Sequence, residues 1–457
     1  MSLDTPHILC VNPWIHDFAA FDFWAKPLGL LYIASILKNN GLRVSFIDCL
    51  DRFHFKTGTN IKVLKDGRGP YEKKEIPFPL DIKNHIKTNN IKEITKRCFS
   101  RYGIEPDWFR YDLKKQEKPD LIFVTSLMTY WASGVKETIS IIKEIYPDVP
   151  VVLGGIYASL CPEHAKKNSG ADEVVTGNAE NILQKLVKDY TNFSFISCFD
   201  FKNLDSLPLP AFDLLSYLAY VPVLTSRGCP FSCEYCACSF LEPEFKRRSP
   251  ESVFQEITFW HYKYNVFNFA FYDDAFLIDS KNYAFPFFEK IINSNMNLSF
   301  YTPNAIHIRE ITKKSANLMF KSGFKTIRLG LETTNFSSSR RYDTKIQENE
   351  FFNAVKHLKN AGFKSKKIGA YLLCGLPEQT LEEIEQSIKI VKKSGIQPVF
   401  AYYTPIPNTP MWKKAVKNSR FDIEKDPFFT NNSLFPCLNK DISIKSIYQL
   451  KNFIKTF

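Results

Sequence analysis

Short apolar runs alternate with amphipathic stretches along most of the chain. HILCVNP has the continuous apolar character of a buried strand and stops at Asn12 and Pro13. PLGLLYIASILKNNG carries its apolar residues at helical spacing and closes on Gly41, and LRVSFIDC returns to strand. After a break the alternation resumes through DLIFVTS, GVKETISIIKEIY, VPVVLGG, a helix near PEHAKKNSG, ADEVVTG and NAENILQKLVKDY. Apolar strands separated by helices predict a parallel sheet covered on both faces. Residues 1–195 are therefore expected to form a doubly wound, Rossmann-like α/β domain. The break, residues 52–116, reads as a polar, irregular insertion with a turn cluster at KDGRGP and one short helix at IKEITKRCF.

Residues 196–220, with DSLPLPAFDLL, form a proline-punctuated linker. From VPVLTSRG onward the pattern restarts: FNFAFYDD, LSFYTPN, TIRLGLET, KIGAYLLCGLP and PVFAYYTP are strands, most of them followed by an amphipathic helix. With the strand before the cysteine-rich loop this makes six strand units, a partial (β/α)6 TIM-type barrel over residues 221–412 with its site at the strand carboxyl ends. Residues 413–457 make a short helical C-terminal extension.

Composition narrows the class. A chain of 457 residues suffices for two domains, and its 41 phenylalanines point to large cores. Apolar runs stay well short of the roughly 20 residues needed to span a bilayer. The N-terminus MSLDTPHILCVNP lacks the features of a secretory signal, so a cytoplasmic location and no membrane partner are expected. The net charge of +12 is spread over lysines on helix faces, such as Lys143, Lys166, Lys313 and Lys392, without a run of five basics. That pattern disfavours nucleic acid as a partner.

The sharpest chemical signal is TSRGCPFSCEYCACSF. Cys229, Cys233 and Cys236 stand four and then three residues apart. Four thiolates normally hold a [4Fe–4S] cube, so three in one loop leave one iron open to another ligand. Zinc is the alternative, with Cys238 as fourth thiolate. The remaining cysteines, Cys10, Cys49, Cys98, Cys161, Cys198, Cys374 and Cys437, occur singly and read as small buried hydrophobes. An odd total of 11 fits a reducing compartment better than a disulfide framework.

This loop, with Tyr235 before its third cysteine, resembles the cluster loop of the radical S-adenosylmethionine (SAM) enzymes. The resemblance implies that the open iron chelates SAM and that an electron from the cluster yields a 5′-deoxyadenosyl radical. It further implies that strand-end residues contact SAM: Asp273 and Asp274 after the second barrel strand, Thr302 and Asn304 after the third, Glu332 after the fourth, and Gly375 and Leu376, with Pro377, near adenine. Helix capping by the Asp pair and a salt bridge from Glu332 to Arg328 or Arg340 are the competing roles. Tyr403, Pro405, Pro407 and Asn408 look like the closing segment of the barrel, facing substrate or cobalamin.

PLGLLYIASILKNNG, MTYWASGV and VPVVLGGIYASLCPEHA extend the likeness to the cobalamin-binding domain that precedes the barrel in cobalamin-dependent radical SAM proteins. No Asp-x-His-x-x-Gly motif occurs, and Asp51 to His54 has the wrong spacing, so the resemblance implies cobalamin bound without a protein histidine. Ligands of doubly wound sheets lie beyond the strand carboxyl ends at the switch point. The candidates for cobalamin are Ser126, Met128, Tyr130 and Trp131 on one loop, Gly154, Gly155 and Tyr157 on the next, and Gly177. Packing of Tyr130 and Trp131 against the following helix is the alternative.

The implied cofactors are a [4Fe–4S] cluster, SAM and cobalamin, and the implied reaction is methyl transfer to an unactivated carbon of a small-molecule or peptide substrate, with a reductant such as flavodoxin or ferredoxin. Relatives of the same architecture perform rearrangement or ring closure. A radical enzyme with a non-binding N-terminal scaffold, a cobalamin carrier or sensor, and a tRNA methylthiotransferase using Cys10, Cys49 and Cys98 for a second cluster are the rivals. The substrate itself is not encoded in any motif.

Overall fold

The computed structural model describes residues 5–59, 61–88, 97–197, 199–336 and 346–455. Cys198 and Arg340 lie outside them, as does most of IKEITKRCF. The chain divides into two compact units, residues 1–218 with 424–434, and residues 219–423 with 435–457.

In the first unit, β1 (His7–Asn12) is followed by β2 (Ile15–Asp17), β3 (Arg43–Asp48), β4 (Lys73–Glu75), β5 (Ser100–Tyr102), β6 (Leu121–Val124), β7 (Val151–Leu153) and β8 (Glu173–Val174). Five of these form a parallel sheet in the order β3-β1-β6-β7-β8, a doubly wound arrangement whose switch point lies between β1 and β6. The alternation of side chains along β1 splits the core. Leu9 and Val11 join Trp14, Cys49, Phe109 and Ile122 on one face, while Ile8 and Cys10 join Leu30, Ile33, Leu37 and Leu121 on the other. Each such buried aliphatic side chain contributes roughly 1.5–3 kcal/mol.

The insertion is more ordered than its polarity suggests. It supplies β4 and β5, which with β2 make an antiparallel sheet in the order β2-β5-β4, and the helices Leu80–Thr88 and Pro106–Lys115. Short strands paired to an existing edge need only a few inward residues, here Ile15 and Tyr102 beside Tyr71, and so leave no long alternating run to read. Residues 424–434 of the C-terminal extension also belong to this unit.

The second unit contains β9 (Val221–Val223), β10 (Ser226–Arg227), β11 (Lys246–Arg247), β12 (Asn268–Phe271), β13 (Ser299–Tyr301), β14 (Phe324–Glu332), β15 (Ile368–Cys374) and β16 (Gln397–Tyr402). Six of them form one sheet, β16-β15-β14-β13-β12-β9, in which every neighbouring pair is parallel. The expected partial barrel is therefore present. Its intervening helices start at side-chain caps: Ser249 accepts from the Ser252 amide, Thr312 from Ser315 and Thr380 from Glu383. Phe271, Phe276, Phe287, Phe288, Phe300 and Phe324 interlock by edge and stacked contacts under the sheet, which accounts for part of the phenylalanine excess. Among the described residues no helix is long and apolar enough to cross a membrane.

Candidate active site

The cysteine loop is built as a closed excursion. β10 pairs antiparallel with β11, Arg227 opposite Lys246, so residues 228–245 leave and return at one point. Gly228 opens the loop at φ +80°, and a Cβ there would lie 2.6 Å from the Glu244 carbonyl oxygen. Only glycine tolerates both the backbone sign and that approach. Within the loop the Cys236 amide donates to the Cys233 carbonyl at 3.0 Å, and the Met411 amide donates to the Glu234 carbonyl at 3.0 Å.

Asp273, expected beside SAM, anchors the base of this loop and is not among the residues that line the cavity at the carboxyl ends of the sheet. Its buried carboxylate accepts from the Thr225 amide at 3.1 Å and from the Thr225 and Ser226 hydroxyls, both at 2.6 Å. Burial raises its carboxyl pKa, with those hydrogen bonds opposing the rise. The adjacent Asp274 has the other fate: in the bend that follows β12 it faces the cavity, where its Oδ2 accepts from the Cys238 thiol at 3.2 Å.

A cavity of about 320 Å³ lies at the carboxyl ends of the sheet. Cys229, Cys233, Cys236, Tyr235 and Phe231 line it from the loop, Asp274 from beyond β12, Asn304 and His307 from beyond β13, Glu332 from β14, Tyr371 from β15 and Ala401 from β16. Sequence reasoning missed Phe231, His307, Tyr371 and Ala401. Tyr371 sits between buried residues inside β15 and Ala401 lies within β16, and only the register of the parallel sheet reveals that they face this volume. Tyr371 donates its hydroxyl to the Pro303 carbonyl at 2.9 Å, and Asn304 donates to the Tyr272 carbonyl at 2.9 Å.

Glu332 is held under strain. Its φ is +64°, at a register shift between β14 and β15, a region costly for a side-chain-bearing residue and found where function over-determines the backbone. Gly330 makes room for it, since a Cβ there would come within 3.3 Å of Glu332 Oε1.

Besides Asp273, three expected contacts are absent from the cavity lining. Thr302 is buried and is not among its lining residues. Gly375 and Leu376 turn into a tight structure closed by Gln379, whose Oε1 accepts from both amides at 2.9 and 3.3 Å. The turn engages both backbone amides, and Gln379 carried no sequence signal beyond its position three residues after Leu376.

The donor set fits an iron–sulfur cluster: three soft sulfur ligands from one loop, beside two carboxylates and an amide. Burial, with Asp274 adding its charge, pushes the Cys236 thiol up to about 11, so metal binding must displace its proton. The fourth thiol of the zinc alternative, Cys238, is turned to Asp274. Among the described residues no three His, Cys, Asp or Glu side chains are grouped to hold a single metal ion; the three thiols line a shared volume instead.

At the switch point of the first unit, the loops after β6, β7 and β8 are tied together. The Ser126 hydroxyl donates to the Gly154 carbonyl at 2.6 Å, and the Ile156 amide donates to the Ser126 carbonyl at 2.8 Å. Ser159, unmarked by the sequence, donates to the Gly155 carbonyl at 2.9 Å and accepts from the Gly177 amide at 3.0 Å. Gly155 serves this packing: φ is +93° and a Cβ would sit 2.3 Å from the Ser126 carbonyl oxygen. Gly154 and Gly177 differ, because nothing lies within 4 Å of a Cβ placed on either. With the exposed Met128 and Ile156 they leave an open, partly apolar face that fits a broad planar ligand.

The aromatic residues are another matter. Tyr157, expected on this face, is 1% exposed and part of the core, its hydroxyl hydrogen-bonded to His164 Nδ1 at 2.7 Å. Tyr130 is 4% exposed. Trp131 is half-buried and donates its indole N–H to Asp17 Oδ2 at 2.7 Å. Large rings beside a sheet end bury more apolar area by packing than by waiting for a ligand. Cys10 and Cys49 belong to core clusters on opposite faces of the sheet, so the second cluster of a methylthiotransferase has no place there.

The chain matches the radical SAM superfamily over residues 223–391 and the B12 binding domain over residues 112–187. It thus carries both a radical SAM domain and a B12-binding domain. The B12-binding domain stands ahead of the radical SAM domain, and the cofactors of these two domains are a [4Fe–4S] cluster, SAM and cobalamin. An uncharacterized methyltransferase of Pyrococcus horikoshii is 28% identical over 335 residues, 67% of this chain and 71% of that protein. The anaerobic magnesium-protoporphyrin IX monomethyl ester cyclase of Rubrivivax gelatinosus is 24% identical over 352 residues, 68% of this chain but only 61% of the cyclase. In structure, the chain resembles the radical SAM methyltransferase TsrM of Kitasatospora setae, solved with cobalamin and a [4Fe–4S] cluster, at a TM-score of 0.63 and 15% identity, covering 90% of this chain and 78% of TsrM.

Proposed function

We propose that this protein is a cobalamin-dependent radical SAM methyltransferase that places a methyl group on an unactivated carbon of a small molecule or peptide. The observation that carries the reading is the convergence of Cys229, Cys233 and Cys236 with Asp274, Asn304 and Glu332 on one cavity, in a chain that also carries a B12-binding domain. When bound, the cluster supplies the electron that opens the SAM sulfonium and the corrinoid carries the methyl group. The three thiolates hold the cluster. The carboxylates of Asp274 and Glu332 favour a cationic ligand beside it, with the strained Glu332 backbone fixing where one of those charges sits. Asn304, tied by its amide to Tyr272, keeps its oxygen free to be offered to the ligand. The open glycines Gly154 and Gly177, with Met128, form the corrin face. A low-potential donor such as a flavodoxin or ferredoxin supplies the electron.

The test is anaerobic reconstitution with iron, sulfide and hydroxocobalamin, then desalting. Corrinoid absorption should stay with the protein, and SAM with dithionite should yield 5′-deoxyadenosine. Loss of all corrinoid on desalting would remove the methylase reading and leave a radical enzyme with a scaffold domain. The cyclase relative favours a second reading, radical ring closure; it predicts 5′-deoxyadenosine without transfer of label from methyl-deuterated SAM.

A further inference from the structure

The ribbon that closes the cysteine loop also grips the bend that carries Asp274. β12 ends at Phe271, and Asp274 stands three residues beyond it. A segment past the end of its strand keeps one place only where hydrogen bonds from elsewhere hold it. Two such ties are present, one on each side of Asp274. Ser226, on β10, donates its hydroxyl to Asp273 Oδ1 at 2.6 Å. Arg247, on β11, donates from Nη2 to the Ala275 carbonyl at 2.7 Å and from Nη1 to the Ile278 carbonyl. Ser226 and Arg247 are directly opposite each other in the ribbon. One cross-strand pair at the base of the cysteine loop therefore holds both chain neighbours of Asp274.

Arg247 is shaped for this place. Its guanidinium carbon lies 4.4 Å from the centre of the Tyr283 ring and 4.9 Å from that of Phe245. Its planar fork reaches both ends of the Ala275–Ile278 turn, which the Ile278 amide closes on the Ala275 carbonyl at 3.2 Å. From that fixed bend Asp274 faces the cavity that Cys229, Cys233 and Cys236 line, and its Oδ2 accepts from the Cys238 thiol. We infer that Arg247 is a positioning residue for Asp274, fixing that carboxylate relative to the three thiols so that a cationic ligand beside the cluster meets a charge already in place. Such preorganisation raises affinity by removing the cost of ordering the site on binding. The inference rests on the SAM reading of the cavity, and its test separates the two.

Arg247→Met keeps an unbranched stem between the two rings and removes both donors. With the cluster loaded and oxidised, so that SAM stays intact, equilibrium dialysis should show the Kd of SAM raised about tenfold, the equivalent of one charged hydrogen bond, at wild-type iron and sulfide content. Asp274→Asn should itself raise Kd, and in that background Arg247→Met should change it by less than about twofold, because residues acting as one unit are not additive. Equal effects of Arg247→Met in both backgrounds, or an Asp274→Asn protein that binds SAM as the wild type does, would overturn the positioning role. A readout independent of SAM is amide hydrogen exchange over residues 274–279 of the cluster-loaded protein. It should quicken in Arg247→Met while β12 keeps its protection; unchanged exchange overturns the inference whatever SAM does. If the wild-type protein binds no SAM while this exchange responds, the SAM reading of the cavity fails, the role toward a ligand falls with it, and the tie from Arg247 to the bend stands. Arg247→Lys, which keeps the charge and can reach one carbonyl, takes the place of Arg247→Met should that variant not fold, and it must quicken the same exchange.

Discussion

The two candidate sites reach their ligand surfaces by opposite means. In the second unit, functional side chains are gathered inward from one loop and five strands, and buried polar residues such as Asp273 are spent holding the loop that carries them. In the first unit the large side chains that seemed suited to a ligand, Tyr130 and Tyr157, are absorbed by packing, and the open surface is made by what is missing, the Cβ atoms of Gly154 and Gly177. A thiol triad has little to gain from burial in a core, so its pattern reports chemistry directly. An aromatic residue serves a core as readily as a ligand, and its pattern does not.

The largest expected effect breaks the cavity at its ligands. Cys229→Ala, Cys233→Ala or Cys236→Ala should each reduce iron and acid-labile sulfide to background after anaerobic reconstitution, while Cys238→Ala, whose thiol is committed to Asp274, should retain the cluster. Iron content untouched by the three substitutions sinks the entire reading of the cavity.

Next come the supports. Gly228→Ala forces a Cβ to 2.6 Å from a carbonyl at φ +80° and should cost roughly 2–3 kcal/mol, with loss of cluster. Asp273→Ala leaves donors at Thr225 and Ser226 unmatched, at about 3 kcal/mol; Asp273→Asn, which still accepts, should cost less. Because burial raises the Asp273 pKa above that of an unfolded carboxyl, the folded state binds the extra proton. Its contribution to stability is fullest below the ordinary value near 3.8 and diminishes as pH climbs through the raised one. Urea midpoints of Asp273→Asn against pH should show that decline removed; an unchanged slope would mean that the hydrogen bonds fully offset burial.

Legibility followed the same division. The parallel sheets were readable because β1, β6 and β15 are apolar without interruption, and the cysteine loop because its spacing has few structural uses. The neighbouring acids Asp273 and Asp274 were indistinguishable as letters; only the turn of the backbone after β12 sends one under the loop and the other into the cavity. The strands of the insertion and the return of residues 424–434 to the first unit were invisible, since three-residue strands and one buried Asn431 leave no periodicity.

The glycine face can be tested at adjacent positions. Gly154→Leu projects into open space at an ordinary backbone conformation, so the melting temperature should hold while hydroxocobalamin retention falls about tenfold or more from steric exclusion. Gly155→Ala should do the reverse in kind, costing roughly 3 kcal/mol because its Cβ meets the Ser126 backbone at 2.3 Å. If Gly154→Leu binds cobalamin as the wild type does, the missing side chains are not a ligand surface.

The smallest effect sharpens the other half of the comparison. Burial drives the Tyr157 hydroxyl pKa far up, with the charges of Cys161 and Asp426 adding to it, so the phenol stays protonated and shares a hydrogen bond of 2.7 Å with His164 Nδ1. Tyr157→Phe keeps the ring in the core and deletes one hydrogen bond, so unfolding should cost about 1 kcal/mol less in a urea titration, with corrinoid retention unmoved. A packing residue must behave this way. Were retention instead to fall while stability held, Tyr157 would belong to the ligand face after all, and the contrast between a site made of side chains and a site made of their absence would no longer hold.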